Sequence, residues 1–167
     1  MYDNLTANDI KKMQEEIEYR KLVVRREALE AVKEARAHGD LSENFEYKAA
    51  KQDKNRNESR IVYLEKMIKT ARIISDNSRE GEVGLGDTVE VYIPDDDETE
   101  RYKLVTTVRG NSLQGLISID SPLGKAIRGR KMGDKVYVKV DDHFGYDVEI
   151  RSIDKTTEDD EDKLRSY

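Results

Sequence analysis

The sequence predicts an α+β protein: an N-terminal antiparallel coiled-coil hairpin of two long helices, followed by a small antiparallel-sheet domain with one short helix. Two observations predict this order. Apolar residues recur at steps of three and four up to about residue 74, and they alternate with polar residues from about residue 87. The composition agrees, because 36% hydrophobic and 40% charged residues, with two Phe and no Trp, leave little material for one thick core.

The first predicted helix begins after Thr6 and continues to Gly39. Thr6 and Asp9 have the spacing of an N-terminal capping box, and no Pro or Gly interrupts the segment. Gly39 can end the helix in a left-handed conformation. An apolar stripe, interrupted at Lys21, is formed by Ile10, Met13, Ile17, Val24, Ala28, Val32 and Ala35.

A second predicted helix runs from about Ser42 to Ile74, also without Pro or Gly. In an antiparallel hairpin, facing residues have position numbers that add to a constant. Four apolar pairs add to 81: Ile10 with Ala71, Met13 with Ile68, Ile17 with Leu64, and Ala31 with Ala50. The two helices are therefore expected to turn back near Asp40, and roughly 32 residues at about 1.5 Å each give an arm of about 45 to 50 Å.

The second half of the chain carries five strand patterns of alternating or clustered β-branched and aromatic residues. They are DTVEVYI, ERYKLVTTV, GLISID, DKVYVKV and YDVEIRSI. After the third pattern, Ser121 can cap a short helix, Pro122 suits its first position and Gly129 can end it. We expect four parts: a hairpin at 1–76, a Gly-rich linker at 77–86, a sheet domain at 87–154 and an acidic, disordered tail at 155–167.

Composition excludes several kinds of site. The absence of Cys removes disulfides and thiolate chemistry, and two His are too few for a histidine-rich metal site. We expect His38 to interact with the C-terminal dipole of the first helix rather than to act as a base.

The net charge of −6 argues against general affinity for nucleic acid. No apolar run could cross a bilayer and MYDNLTANDI does not resemble a signal peptide, so we expect a soluble, cytoplasmic protein with no membrane partner.

The predicted turn, GDLSENFEY, places three carboxylates together, Asp40, Glu43 and Glu46. Asp40 and Glu43 can form an N-terminal capping box for the second helix, where the helix dipole also favours acidic residues. Alternatively, they can offer oxygen ligands to Mg²⁺, which takes about six oxygens and usually only one or two from protein carboxylates. Such a site is incomplete until another macromolecule supplies a phosphodiester and further ligands.

Basic residues flank this turn on both helices. They are Arg36 and Lys51, together with Arg20, Lys21, Arg25, Arg26, Lys33, Lys48, Lys54, Arg56 and Arg60. Acidic residues are interspersed among them. These charges can therefore form either a solvated coiled-coil surface or, where the signs separate, a surface for an RNA backbone.

Three segments of the chain resemble the Gre family of transcription elongation factors. They are HGDLSENFEYKAAK at the turn, ESRIVYLEKMIKTARII in the second helix and GLISIDSPLGKAIRGRKMGDKVYV in the second domain. The resemblance extends over roughly residues 5–153. It implies an N-terminal antiparallel coiled coil and a C-terminal domain with an FKBP-like fold but no isomerase role.

The resemblance also implies a function. Gre proteins bind bacterial RNA polymerase, with the C-terminal domain beside the secondary channel and the coiled-coil tip inside it. Asp40 and Glu43 match the tip residues that hold the second catalytic Mg²⁺ and its attacking water, while the polymerase's own carboxylates hold the first ion. Cleavage then releases the nascent RNA 3′ end of a backtracked complex. We therefore expect a monomeric stimulator of cleavage that is not itself an enzyme.

Two further sets of residues match positions through which the family contacts the polymerase or RNA. Asp120, Ser121 and Pro122 match the docking loop of the second domain, although a helix cap also explains these residue types. Arg36 and Lys51 lie where the family has basic residues near the tip.

The chain departs from the family pattern at three places. Phe45 replaces a small residue at the tip, RREAL lacks a proline familiar in many members, and TTVRGNSLQG replaces the usual glycine and Glu-Ala-Asp stretch. Two other functions therefore stay open. One is a secondary-channel regulator or inhibitor of the polymerase without cleavage activity. The other is a peptide-binding helical-hairpin adaptor whose tip carboxylates only cap a helix.

Overall fold

The computed structural model describes residues 3–39, 44–155 and 164. The expected acidic tail therefore lies outside the described residues, except for Lys155 and Leu164. The chain divides into two compact units. One consists of Met1–Asp3 and Asn8–Ala71, and the other of Asn4–Ala7 and Arg72–Tyr167.

The first unit is the predicted helical hairpin. Its outgoing arm is a continuous helix made of α1 (Ala7–Tyr19), a π-helical turn (Arg20–Val24) and α2 (Arg25–Arg36), and its returning arm is α3 (Phe45–Thr70). The arms meet in antiparallel order, because Arg20 contacts Asn57 and Asn44 contacts Ala35. Gly39, after the end of α2, has a φ of 125°, a conformation that favours glycine. The predicted hairpin is confirmed.

A polar layer lies between the two arms at the π-helical turn. The Glu16 carboxylate accepts hydrogen bonds from Arg20 Nε and Arg60 Nε, each at 2.8 Å. Asn57 Nδ2 donates to the Arg20 carbonyl at 3.3 Å, and this carbonyl also accepts the Arg25 N–H. Asn57 and Arg60 are only 4% and 8% exposed. Burial by itself would raise the pKa of Glu16, but the hydrogen bonds from both arginines outweigh it and lower the pKa.

The π-helical turn coincides with the break in the apolar stripe at Lys21. A π turn adds one residue to the helix and changes the face that later residues present. Lys21 is exposed and lies 2.6 Å from Glu65 of the other arm, whereas Met13, Ile61 and Leu64 are buried. Polar contacts therefore replace apolar ones at this level of the hairpin.

Two short strands flank the hairpin in sequence. β1 (Asn4–Leu5) pairs in parallel with β2 (Arg72–Ile73), and Ile74 N donates to the Leu5 carbonyl at 2.8 Å. Both strands belong to the second unit, so the hairpin is an insertion between them. The expected continuation of the second helix to Ile74 is wrong, because the chain leaves α3 after Thr70 and pairs with β1.

A five-stranded sheet with the order β5-β4-β3-β7-β6 forms the basis of the second unit. Its strands are β3 (Thr88–Ile93), β4 (Glu98–Val105), β5 (Leu116–Ser118), β6 (Lys135–Lys139) and β7 (Gly145–Asp154). All five predicted strands are present. One pair differs from the expected antiparallel arrangement: β4 and β5 are parallel, with Lys103 opposite Leu116. The connection between them must therefore return along β4 before β5 begins.

Residues of the sheet and of α4 (Pro122–Ile127) form one apolar core. Val91 of β3, Val138 of β6 and Ile127 of α4 are all 0% exposed. Val83 is also 0% exposed and belongs to the same core. The segment expected to be a linker at 77–86 thus contributes to the packing of the sheet domain.

Lys155, directly after β7, forms an ion pair with Asp87 and a hydrogen bond with Ser78 of this segment. Lys155 Nζ lies 2.6 Å from Asp87 Oδ2 and 2.8 Å from Ser78 Oγ. Asp87 is 1% exposed and also accepts a hydrogen bond from Gly84 N at 2.7 Å. Lys155 therefore provides the counter-charge that a buried carboxylate requires.

Candidate functional site

Two contacts fasten the helix ends on either side of the hairpin turn. His38 Nδ1 lies 3.0 Å from Glu46 Oε2, and Asn44 Nδ2 donates to the Ala35 carbonyl at 2.6 Å. The first contact joins two exposed side chains, and the second ties the start of α3 to the end of α2. Together they set the spacing of the two chain segments that enter and leave residues 40–43.

Asn44 is the N-cap of α3. Its Oδ1 accepts a hydrogen bond from Tyr47 N at 2.9 Å, and its backbone is extended, as an N-cap requires. The interpretation in which Asp40 and Glu43 cap the second helix is therefore wrong, because the helix starts later than expected, at Phe45. Asp40 and Glu43 lie outside the described residues, so their role as Mg²⁺ ligands stays a prediction.

Aromatic rings at the start of α3 lie beside cationic side chains. The Arg36 guanidinium carbon is 5.5 Å from the Tyr47 ring centroid, and its Nη2 is 3.4 Å from the Tyr47 hydroxyl. This hydrogen bond, together with the charge of Lys51, lowers the pKa of the Tyr47 phenol. Lys48 Nζ is 5.7 Å from the ring centroid of Phe45, which is 80% exposed. Positive charge and exposed aromatic surface, a combination suited to nucleic acid, therefore adjoin the turn.

Farther along the arms, several cations expected near RNA are bound to carboxylates instead. Arg25 makes two hydrogen bonds to Glu58, at 2.7 and 2.8 Å, and Arg20 and Arg60 both bind Glu16. For these residues the structure favours the interpretation as a coiled-coil surface. A groove of about 280 Å³ nearby is lined by Lys21, Arg25, Arg26, Leu29, Glu30 and Lys33.

The predicted docking residues lie where β5 leads into α4. Asp120 is exposed, and its Oδ2 accepts a hydrogen bond from Thr107 Oγ1 at 2.9 Å. Ser118 Oγ lies 2.8 Å from the same Thr107 atom and accepts a hydrogen bond from Asp120 N at 3.0 Å. The Thr107 hydroxyl thus holds the Asp120 carboxylate and the Ser118 hydroxyl holds the Asp120 backbone, while the carboxylate faces solvent.

Ser121 and Pro122 form the start of α4 as the sequence predicts. Ser121 Oγ accepts a hydrogen bond from Gly124 N at 3.0 Å and donates to the Ser118 carbonyl at 2.6 Å, with Pro122 in the first turn. A Cβ added to Gly124 would lie 2.0 Å from that carbonyl oxygen. Glycine therefore allows α4 to begin against β5 and so shapes the docking loop, which we define as Asp120–Pro122.

Sequence reasoning missed three residues that support these sites. Asn44 carried a usable signal, because Asn caps helices as well as Asp does and precedes a segment without Gly or Pro. Thr107 and Ser118 carried none, since hydroxyl residues are ordinary in strands and connections. Only the folded chain brings Thr107 beside Asp120, and Ser118, two positions before Asp120, has no distinguishing pattern.

The described part of the chain contains no group of three or more His, Cys, Asp and Glu side chains that could hold a metal ion. Among those same residues, no helix is both long and apolar enough to cross a membrane. The donor chemistry of Asp40 and Glu43 nevertheless fits Mg²⁺, because one or two carboxylates are what a protein usually contributes to this ion.

The helical hairpin with cationic and aromatic side chains beside its turn, and the sheet domain with its exposed acidic loop, define a two-unit α+β protein. The family model for the N-terminal part of transcription elongation factors GreA and GreB matches residues 4–73, and the model for their C-terminal part matches residues 76–155. The chain belongs to the GreA/GreB family of transcription elongation factors. The resemblance found in the sequence is confirmed.

Relatives in several bacteria share most of the chain. The transcription elongation factor GreA of Bacillus subtilis (strain 168) is 43% identical over 136 residues, which are 81% of this chain and 86% of that protein. GreA of Streptococcus pneumoniae (serotype 19F, strain G54) is 39% identical over 153 residues, 91% of this chain and 95% of that protein. Among solved structures, the transcription factor Gfh1 is 28% identical with a TM-score of 0.45, covering 92% of this chain and 97% of that chain.

Proposed function

We propose that this protein binds bacterial RNA polymerase, inserts the turn of its hairpin into the secondary channel and stimulates Mg²⁺-dependent cleavage of the RNA 3′ end in backtracked complexes. The observation that carries the proposal is the N-cap of α3. Because Asn44 has this role, helix capping does not account for the carboxylates Asp40 and Glu43. The polymerase performs the hydrolysis, and this protein acts as its stimulator.

The residues of the turn and of its flanks have different proposed roles. Asp40 and Glu43 would hold Mg²⁺, which when bound supplies a water of lowered pKa and a positive charge next to the phosphodiester. Arg36 and Lys51 attract the RNA backbone through their positive charge. Asn44, through its bond to the Ala35 carbonyl, ties the start of α3 to the end of α2.

The docking loop supplies the second contact with the polymerase. The Asp120 carboxylate is exposed and already oriented by Thr107 Oγ1, so it can accept charge-assisted hydrogen bonds with little loss of side-chain entropy. Ser121 and Pro122 keep this carboxylate at the start of α4. Asp120→Asn is expected to weaken polymerase binding while leaving the hairpin turn unchanged.

The test uses backtracked elongation complexes with RNA labelled near its 3′ end, to which the protein and Mg²⁺ are added. We expect faster release of short 3′ fragments with the unaltered protein. Asp40→Asn and Glu43→Gln should retain polymerase binding and abolish the stimulation, because each removes a charged ligand. Retained stimulation in both variants would remove the assignment of these residues as metal ligands.

Glu46→Gln is the matched control. Glu46 lies in the first turn of α3 and contacts His38. The Gln amide oxygen can still accept a hydrogen bond from His38, so the change removes a charge near the tip while keeping this contact and the two proposed ligands. We expect it to keep most of the stimulation. Binding of the unaltered protein without any stimulation would instead favour a regulator without cleavage activity, and no binding at all would favour the adaptor.

A further inference from the structure

A groove adjoins the docking loop within the sheet domain. Its volume is about 680 Å³, and its walls include Thr107, Leu113, Ser118 and Ser121. Leu113, on a 3₁₀ turn, is 97% exposed and contributes apolar surface to this wall. The groove therefore combines an apolar rim with the hydroxyl groups that hold the docking loop.

Leu164 also lines this groove. It comes from the last part of the chain, residues 156–167, which lies beyond the segment 76–155 matched by the C-terminal family model. The sequence there is TTEDDEDKLRSY, in which Leu164 is the one aliphatic residue and follows a run of five acidic residues. Leu164 is half-buried although nearly every residue around it in sequence is polar.

The connection between Lys155 and Leu164 is long enough for this contact. Lys155 is fixed by its bonds to Asp87 and Ser78, and nine residues follow to Leu164. A chain of nine residues spans up to about 30 Å.

The groove and the docking loop share residues. Ser118 and Ser121 line the groove and also bind the backbone at Asp120 and Gly124. Thr107 lines the groove and orients the Asp120 carboxylate. A segment seated in the groove therefore lies against the residues that position Asp120 and occupies space that a large partner at this loop needs.

We propose that residues 156–167 dock into this groove through Leu164 and that this contact competes with RNA polymerase for the docking loop. The groove is a binding site for a leucine-containing acidic segment, and its occupant in the free protein is the protein's own C-terminal segment. The competition rests on the proposed polymerase binding. The docking of the segment does not.

The first experiment measures the contact itself in the full-length protein without polymerase. Leu164→Ser is compared with Lys163→Ser, a neighbouring change that leaves the leucine in place. Amide chemical shifts of Leu113, Gln114 and Ser118 should move in the leucine variant and stay near their original values in the lysine variant. A synthetic peptide of residues 156–167, added to the Leu164→Ser protein, should restore the original shifts. Unmoved shifts in the leucine variant overturn the proposal.

The second experiment measures polymerase affinity of the same two variants. Leu164→Ser should bind about threefold to tenfold more tightly than the unaltered protein, because a half-buried leucine stabilises a contact to that extent. Lys163→Ser should change the affinity much less. Equal affinities, with the groove shifts changed, overturn the competition. Absence of polymerase binding by the unaltered protein contradicts the proposed function, and the shift measurement then still decides whether the segment occupies the groove.

Discussion

Replacing Glu16 by Gln tests the polar layer of the hairpin. The carboxylate accepts three hydrogen bonds, from Arg20 Nε at 2.8 Å and from Arg60 Nε and Nη2 at 2.8 and 3.2 Å. An amide has one acceptor oxygen and no charge. A hydrogen bond to a charged group contributes about 1.5 to 3 kcal/mol, and breaking a fully buried ion pair costs about 3 to 5 kcal/mol. Because the Glu16 side chain is 23% exposed, we expect a loss of about 2 to 3 kcal/mol.

Urea unfolding, followed by the circular dichroism of the helices, measures this loss. The midpoint should fall while the slope stays constant, because the same surface is exposed on unfolding. Glu65→Gln is the matched control on the other arm. Its contact with Lys21, at 2.6 Å, joins side chains that are 47% and 42% exposed, so the change should cost about 0.5 kcal/mol or less. Equal losses in the two variants would refute the view that the layer stabilises the hairpin.

The difference in unfolding free energy between the unaltered protein and Glu16→Gln should also depend on pH. The folded-state pKa of Glu16 lies below its ordinary value of 4.5, so its stabilising effect is fully present above that pH. It is lost as the pH falls through the folded-state pKa. The stability difference between the unaltered protein and Glu16→Gln should therefore be greatest near neutral pH and shrink in acid. A difference that grows in acid contradicts the proposed hydrogen bonds.

Three further changes test other supports of the fold. Asn44→Ala removes the cap of α3 and should lower helical stability by about 1 to 2 kcal/mol in urea unfolding, whereas an unchanged midpoint argues against the cap. Lys155→Met deprives buried Asp87 of its counter-charge and should cost about 2 kcal/mol, measured by thermal unfolding of the sheet domain. Gly124→Ala forces a Cβ against the Ser118 carbonyl and should lower the free energy of unfolding by about 3 kcal/mol. The same change should weaken the proposed binding of polymerase through the docking loop. An unchanged free energy of unfolding would contradict the close approach.

The parts of the fold that repeat along the chain could be predicted from sequence. Each of the five strands shows local alternation, and burial of Val89 and Val91 on β3 follows it directly. The hairpin likewise follows from two apolar stripes that match in antiparallel register. In these elements the local pattern and the tertiary packing favour the same structure.

The parts that depend on distant contacts could not be predicted. β1 has two residues and its partner β2 lies beyond the whole hairpin, so no local pattern marks the pair. The π-helical turn depends on Asn57, which reaches the Arg20 carbonyl from the other arm. The parallel pairing of β4 and β5 depends on how residues 106–115 return, and their composition does not specify this.

The residue types of the candidate site could be predicted from sequence. Most of the contacts that support those residues could not. Ser121 and Pro122 have a local capping signature and occupy the expected places. The capping interpretation of Asp40, one of the two left open, places the cap of α3 four residues too early, because Asp40 and Asn44 are both good capping residues and sequence alone does not choose between them. The orientation of Asp120 comes from Thr107, thirteen positions away.

Because the hairpin is inserted between β1 and β2, the length of its arms can change without changing the sheet domain. The two strands lie side by side, so the chain leaves the domain and returns to it at neighbouring positions whatever the length of the arms. Forming the hairpin also brings Leu5 and Ile73 together and removes much of the entropy cost of closing so long a loop. Matched deletions of whole helical turns from both arms should therefore shorten the hairpin without unfolding the sheet domain.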